Sequence, residues 1–116
     1  VSKLDHLVEE PEPIPPFGLT LAVTPDEQAA AETIGALAAS LVRDGDTIQI
    51  GVGSVSMAAG LYLRDKNDLG VHSEILTSSM IDLFKRGVIT GARKGIDVGK
   101  MVAAGMFLEP DDYAFV

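Results

Sequence analysis

Two short stretches of the chain hold residue types that could carry out chemistry. The first, Gly51-Val52-Gly53-Ser54, follows a β-branched run and precedes a helical pattern. The second, His72-Ser73-Glu74, lies on a further predicted strand. A glycine turn between a strand and a helix presents unpaired backbone N–H groups, which can hold a phosphate, a carboxylate or a developing oxyanion. A carboxylate beside such a turn is a candidate nucleophile or base.

The predicted strand around Glu74 places its candidate residues on one face. His72 and Glu74 are two residues apart, so both side chains point the same way, while Val71, Ser73 and Ile75 point to the other face. Neither set is cleanly apolar, so the pattern does not say which face is buried. A solvated acid at a strand end and a hydrogen-bonded structural histidine remain open alternatives to a reactive pair.

The turn at Gly51 and Gly53 is also open to several interpretations. A dinucleotide-binding turn needs a third glycine where this chain has Ser56, although Glu74 has roughly the offset of the acid that binds the ribose. A phosphate-binding P-loop would need a Gly-Lys-Ser/Thr sequence, which does not follow. A purely structural turn, or a pair of backbone donors that face a substrate oxygen, fits the residues as well.

The elements that position these residues follow from spacing and caps. Thr24-Pro25-Asp26-Glu27 predicts a capping box at the start of a helix that ends at Asp44-Gly45. The apolar residues expected to form the buried face of this helix are Ile34, Leu37, Ala38, Leu41 and Val42. Strands predicted over Thr47–Ile50 and Gly70–Ile75, with a helix between them, form a βαβ unit.

The second half continues the same alternation. Thr77, Ser78 and Ser79 offer a cap for a short amphipathic helix that ends at Gly87. Further strands are predicted over 88–90 and 100–107, the latter with a middle of small residues. The order of elements therefore predicts the α/β class, with a largely parallel sheet and flanking helices.

Composition limits the number of domains, the kinds of partner and the kinds of metal site that the chain can have. The 116 residues fit one domain or a piece of a larger one, and 47% apolar residues can form a real core. A net charge of −8 argues against a nucleic-acid or anionic-membrane partner, and the absence of cysteine excludes disulfides and thiolate metal sites. No metal-ligand cluster, signal peptide or long apolar run is visible. We therefore expect a soluble, cytoplasmic protein with no metal.

The chain divides into two regions by composition. Residues 1–24 are rich in proline and glutamate and predict an extended connector, whereas 25–116 carry the α/β pattern. The apolar ending at 113–116 suggests a longer protein. The basic residues of the second half predict either a solvated edge or a patch for the phosphates of an anionic ligand. They are Lys85, Arg86, Arg93, Lys94 and Lys100.

Taken together, these motifs resemble the acetyl-CoA hydrolase/transferase family, which includes 4-hydroxybutyrate and acetate CoA-transferases. The resemblance runs from about Asp5 to the end of the chain. The connector and the helix that ends at Asp44-Gly45 carry part of the resemblance. The other segments that carry it are 48–53, 68–74, 82–84, 87–90, Lys94 and 99–103. The ordered set is specific to the family, although no single motif is.

The resemblance implies a catalytic role for Glu74. The family's catalytic glutamate lies in a His-Ser/Thr-Glu segment, beside a Gly-x-Gly turn that matches Gly51 and Gly53. It implies ping-pong transfer of coenzyme A from an acyl-CoA to a small carboxylate, through a glutamyl-CoA thioester on Glu74. We expect His72 to orient Glu74 or the substrate, and the turn from Gly51 through Val52 and Gly53 to Ser54 to bind the cofactor.

The family's proteins have two similar α/β halves, and the resemblance assigns 1–24 to the connector and 25–116 to the front of the catalytic half. We expect the segment alone to be inactive. We also expect the protein to form a homo-oligomer, or this segment to be completed by the remainder of a longer chain. The chain departs from the family in three places. Ser56-Met57-Ala58-Ala59 stands where the family usually has Pro-Asp-Ala-Val, Thr77-Ser78-Ser79 where it has Ser-Asp-Gly, and Gly91 where it has an asparagine. Acyl-CoA hydrolysis, a non-covalent nucleotide- or CoA-binding module and an inactive structural homologue remain alternatives.

Overall fold

The computed structural model describes residues 5, 6, 8, 9, 24–51 and 53–116, so most of the predicted connector lies outside the described residues. Seven elements follow in order: α1 (Pro25–Leu41), β1 (Thr47–Ile48), α2 (Ser54–Leu61), β2 (Gly70–Thr77), α3 (Ser78–Lys85), β3 (Met101–Phe107) and α4 (Pro110–Tyr113). Strands and helices alternate along the described chain.

The three strands form one parallel sheet in the order β1-β2-β3. Ile48 pairs with Val71, and Val71 pairs in turn with Met101, so the strands begin at a common level. Parallel neighbours need a crossover connection, and α2 and α3 supply one between each successive pair. The α/β class with a parallel sheet and flanking helices is therefore confirmed.

The start of α1 is as predicted. Thr24 is the N-cap residue, its side chain accepts a hydrogen bond from the backbone N–H of Glu27, and the Glu27 carboxylate accepts one from the backbone of Thr24 at 2.8 Å. This reciprocal pair satisfies two of the N–H groups that a helix start leaves free.

The buried face of α1 differs from the prediction. Ala31, Gly35 and Ala39 are buried, and a Cβ added at Gly35 would lie 2.9 Å from the backbone nitrogen of Ala59 in α2. The large apolar residues of the predicted face are exposed: Ile34 (47%), Leu37 (65%) and Leu41 (80%). The prediction was wrong because two helical stripes compete, and the close approach of α1 to α2 is possible only along the stripe of small residues.

The core lies between the sheet and its helices. Its buried members are Ala39, Ile50, Leu63, Leu69, Val71, Leu76, Met80, Leu83, Val88 and Ile89. Met80 and Ile81 on α3 and Val71 on β2 have no exposed surface. These side chains anchor β2, the central strand, so the residues at its carboxyl end are held on a fixed support.

Two strand predictions need correction. The strand predicted over Thr47–Ile50 ends at Ile48, because the chain begins to turn toward α2. Residues 88–90 make a single bridge, between Ile89 and Leu69, and are not a strand in the described structure. Their apolar side chains are instead buried behind α3, whose C-terminal carbonyl at Leu83 accepts the N–H of Val88 at 2.9 Å.

The amino-terminal end of the sheet is closed by polar contacts. The buried Lys94 ammonium donates to the carbonyl oxygens of Val71 at 3.0 Å and Lys100 at 2.7 Å, and so joins the starts of β2 and β3. The Asp44 carboxylate accepts the backbone N–H and the side-chain amide of Asn67, at 2.8 and 3.2 Å. These contacts tie together the loops that precede the strands.

Candidate active site

Strand β2 has two unlike faces at its centre. Val71 and Ser73 are buried against the helices, whereas His72 and Glu74 are exposed on the opposite face. The structure thus confirms that the two candidate residues share a face, and it resolves which face is buried. The Glu74 carboxylate is accessible to a ligand from the open side of the sheet.

The end of β1 lies against β2 at the level of these residues. The Ser73 hydroxyl donates to the carbonyl oxygen of Ile50 at 3.2 Å and holds the two chains together beyond the last paired residues, Ile48 and Val71. Gly51 follows Ile50 and Glu74 follows Ser73, so this hydrogen bond brings the glycine turn close to the candidate glutamate.

The glycine turn is closed by a hydroxyl group. The Ser56 Oγ lies 2.7 Å from the carbonyl oxygen of Gly51 and 3.0 Å from that of Gly53. Gly53 is the N-cap residue of α2 and supplies no side-chain cap, so the N–H groups of the first turn of this helix are not capped by a side chain. They are the kind of donors that stabilise negative charge on an oxygen.

Two of the four predicted cofactor-binding residues are described in part or not at all. Val52 lies outside the described residues, and Ser54 is described as the first residue of α2 without its side-chain surroundings. Gly51 and Gly53 carry the described part of the turn. Sequence reasoning singled out the absence of a third glycine at Ser56, but it did not show that the hydroxyl there would bind the turn's own carbonyls.

Strand β3 completes the surroundings of Glu74. The pairs Ser73–Ala103 and Ile75–Gly105 bracket Glu74, so its neighbour on β3 is Ala104. Ala104 is exposed. The exposed carboxylate therefore has a small neighbour on the adjacent strand β3. Sequence reasoning noted the small residues of this strand but could not assign them to Glu74, because the register between strands is set in three dimensions.

An open cavity of about 510 Å³ lies where α1, α2 and the end of β1 meet. Its lining residues are Ala38, Gln49, Ile50, Gly53, Val55, Ser56 and Ala59. Most of these side chains are apolar, and the polar groups come from Gln49 and Ser56. The cavity extends from the glycine turn toward the helices, so it offers room for an apolar group near the turn.

The basic residues of the second half do not form a common patch. Lys94 is buried at the amino-terminal end of the sheet, away from the glycine turn. On α3, Arg86 and Lys85 form ion pairs with Asp82 and Asp112, at 2.8 and 2.7 Å. The hydrogen bond from Arg86 lowers the pKa of Asp82, and that from Lys85 lowers the pKa of Asp112. Three of the five cations are thus engaged within the chain.

The described residues contain neither a candidate metal centre nor a membrane-spanning helix. No group of three or more His, Asp or Glu side chains there could hold a metal ion. None of the helices in the same part of the chain has the length and hydropathy needed to cross a membrane.

Comparison with known proteins identifies relatives along the whole chain. It is 35% identical over 117 residues to the 4-hydroxybutyrate coenzyme A transferase of Clostridium kluyveri, a match to 100% of this chain and 26% of the relative. It is 38% identical over 104 residues to the succinyl-CoA:cyclohexane-1-carboxylate CoA transferase of Geobacter metallireducens, a match to 89% of this chain and 22% of the relative. No family model matches.

Solved structures agree with these sequence relatives. The crystal structure of 4-hydroxybutyrate CoA-transferase from Porphyromonas gingivalis superposes with a TM-score of 0.71 at 35% identity, over 74% of this chain and 22% of that one. The RipA protein of Yersinia pestis superposes with a TM-score of 0.73 at 32% identity, over 85% of this chain and 22% of that one. The chain thus spans about a quarter of the length of the curated relatives it matches. Sequence and fold together show that the chain belongs to the CoA-transferase family.

Proposed function

We propose that the protein containing this chain transfers coenzyme A between an acyl-CoA and a small carboxylic acid, with Glu74 as the nucleophile. The observation that carries the proposal is the exposed Glu74 carboxylate, on a fixed central strand next to the Gly51–Gly53 turn. The relatives in Clostridium kluyveri and Geobacter metallireducens, which are named as CoA transferases, support the same reaction class.

The proposed reaction consists of acyl transfers between carboxylate oxygens and the CoA sulfur. A Glu74 oxygen attacks the thioester carbonyl carbon, and the carbon–sulfur bond breaks. The CoA thiolate departs, and the acyl group remains bound to Glu74 as a mixed anhydride. The thiolate then attacks the glutamyl carbonyl carbon, which releases the first carboxylate and leaves a glutamyl-CoA thioester. A second carboxylate reverses these steps and departs as the new acyl-CoA. No net proton is required, so Glu74 acts as an ionised nucleophile.

The neighbours of Glu74 take supporting roles in this proposal. The backbone N–H groups of the turn at Gly51 and Gly53, with those of the first turn of α2, stabilise the oxyanion that forms as each carbonyl is attacked. His72 lies on the same face as Glu74 and orients the carboxylate or the substrate, since the mechanism has no proton for it to remove. Coenzyme A is a substrate here and no metal is used.

The domain arrangement is also part of the proposal. Residues 25–116 form the front of the catalytic domain and 1–24 the connector that precedes it. Parallel sheets are normally covered on both faces, whereas the part of the face that carries His72 and Glu74 is exposed among the described residues. We expect the remainder of the protein, or a second copy, to cover that face and complete the site. The segment alone is therefore expected to be inactive.

The test is a product assay on the full-length protein that contains this segment. Acetyl-CoA is supplied with butyrate, and butyryl-CoA, acetate and free CoA are measured together. A CoA transferase produces butyryl-CoA and acetate in equal amounts, with parallel double-reciprocal plots. Free CoA released without butyryl-CoA would instead establish a hydrolase, and no turnover with measurable CoA affinity would indicate a non-covalent binding module.

A further inference from the structure

Strand β3 carries three small residues in succession, Ala103, Ala104 and Gly105. Alanine and glycine are depleted in strands because they pack little surface and gain little from the pleated conformation. A run of this kind in a paired strand needs a local reason, and the reason differs between the two faces of the sheet.

Packing accounts for the two residues on the helix-covered face. Ala103 is packed against the hydrophobic core. A Cβ added at Gly105 would lie 3.4 Å from Cδ1 of Ile75, its neighbour on β2, so this position is already close to van der Waals contact. Larger residues at either position would have to displace side chains that fill the interior.

Packing among the described residues does not account for Ala104. It is exposed on the opposite face, where a larger side chain would meet none of the described core residues. Its neighbours along the same face of β3 are larger, namely Val102 beside His72 and Met106 beside Leu76. The strand therefore carries a small residue on this face at the level of Glu74, between two larger ones.

We propose that Ala104 is a specificity-determining residue that sets the size of the acyl group accepted at Glu74. This inference rests on the proposed function. Side chains on neighbouring parallel strands at the same level are about 5 Å apart, so a branched side chain at position 104 would occupy the space beside the carboxylate. In the mixed anhydride that space is taken by the acyl chain. An alanine leaves room for a chain of several carbons, and a valine or leucine removes that room.

The test compares acyl-CoA substrates of different length on the full-length protein. Ala104→Val and Ala104→Leu are assayed with acetyl-CoA and butyryl-CoA, with the same carboxylate acceptor, and kcat/KM is measured for each. We expect the ratio of kcat/KM for butyryl-CoA to that for acetyl-CoA to fall on the order of 10- to 100-fold, in line with the discrimination that single methylene groups produce in other enzymes. Ala104→Gly should leave the ratio unchanged or raise it.

Two controls keep the result interpretable. Ala92→Leu adds the same side chain at an exposed position at the other end of the sheet and should not change the ratio. Ala104→Val introduces a residue that favours strands, so it preserves the test if Ala104→Leu fails to fold. Thermal unfolding of each variant shows whether the fold is retained.

The outcomes separate this inference from the proposed function. An unchanged ratio in both variants, or an equal loss with both substrates, would overturn the role of Ala104 while leaving transfer through Glu74 intact. Failure of the wild-type protein to form a CoA adduct on Glu74 would overturn the proposed function, and the inference with it. A loss confined to the longer acyl group supports both.

Discussion

The two ends of the parallel sheet are built in opposite ways. At the amino-terminal end, the buried ammonium of Lys94 bonds two carbonyl groups and Asp44 bonds both donors of Asn67. At the carboxyl end of β1, the glycine turn lies close to an exposed glutamate in the middle of β2, whose neighbour on β3 is Ala104. Polar groups are satisfied within the chain at one end and left available at the other.

This difference follows a general property of open parallel sheets, in which ligands bind outside the carboxyl ends of the strands. The strand β2 connects the two ends: Val71 accepts from Lys94 at its start, and Glu74 is presented three positions later. Substitutions at the amino-terminal end should therefore change stability, and those at the carboxyl end should change activity with little effect on stability.

The largest expected effect is that of Glu74→Gln in the full-length protein. An amide is a far poorer nucleophile than a carboxylate, so kcat should fall by at least about 10³-fold, as for other enzymes that lose a nucleophile. The melting temperature should change little, because the side chain is exposed. Steady-state kinetics and thermal unfolding measure the two quantities.

Glu32→Gln is the matched control for that substitution, since it removes an exposed carboxylate from the surface of α1. Its activity should equal that of the wild-type protein. Comparable activity in Glu74→Gln and Glu32→Gln would contradict the assignment of the nucleophile.

Lys94→Met should have the largest effect on stability. The substitution keeps the length of the apolar stem but leaves the carbonyl oxygens of Val71 and Lys100 without their donor inside the protein. A cost of about 2–3 kcal/mol is expected, because buried acceptors that lose a charged donor retain their desolvation penalty. Denaturant unfolding of the full-length protein, with amide exchange of β2 as a local probe, measures it.

The exposed Lys100→Met is the control for loss of a positive charge nearby, and it should cost far less than Lys94→Met. If both variants were equally stable, the contacts of Lys94 would not be what closes the amino-terminal end of the sheet.

Ser56→Ala should lower activity moderately. Without the hydroxyl, the carbonyl groups of Gly51 and Gly53 lose a shared partner and the turn becomes less ordered. Under the proposed mechanism the turn positions oxyanion donors, so kcat should fall on the order of 10-fold with a smaller change in KM. An increase in KM alone would show instead that the serine acts in substrate binding.

The smallest effect is a dependence of stability on pH. Hydrogen bonds from the backbone and side chain of Asn67 lower the pKa of Asp44 below its usual 3.8. Its ionised form therefore stabilises the folded protein above that pH, and the contribution is lost as the pH falls through the lowered pKa. The difference in melting temperature between wild type and Asp44→Ala should shrink on acidification below pH 3.8.

Asp65→Ala, which removes an exposed carboxylate from the loop between α2 and β2, is the control for the loss of a negative charge at the surface. A difference for Asp44→Ala that stays constant across the acidic range would contradict the lowered pKa of Asp44.

Local signals in the sequence predicted much of this architecture. The capping box at Thr24 and Glu27, the alternation of strands and helices, and the shared face of His72 and Glu74 depend on neighbouring residues, and the structure confirms each of them. The membership of the CoA-transferase family was predicted from an ordered set of motifs and is confirmed by the relatives.

The parts that the sequence did not predict depend on contacts between distant segments. The apolar spacing of α1 favoured burial of Leu37, whereas the surface of α2 selects the stripe of small residues that includes Gly35. The same is true of Lys94, which was assigned to a basic surface and is buried against two carbonyls. The place of Ala104 beside Glu74 follows from strand register alone.

The central claim is that Glu74 carries CoA covalently during turnover. The full-length protein is incubated with acyl-CoA, reduced with borohydride and digested, and the peptide that contains Glu74 is examined by mass spectrometry. The proposed mechanism predicts that the Glu74 carboxyl is reduced to an alcohol only when acyl-CoA is present, because a thioester is reduced under conditions that leave a carboxylate intact. An unmodified Glu74 in a protein that turns over acyl-CoA would contradict the account.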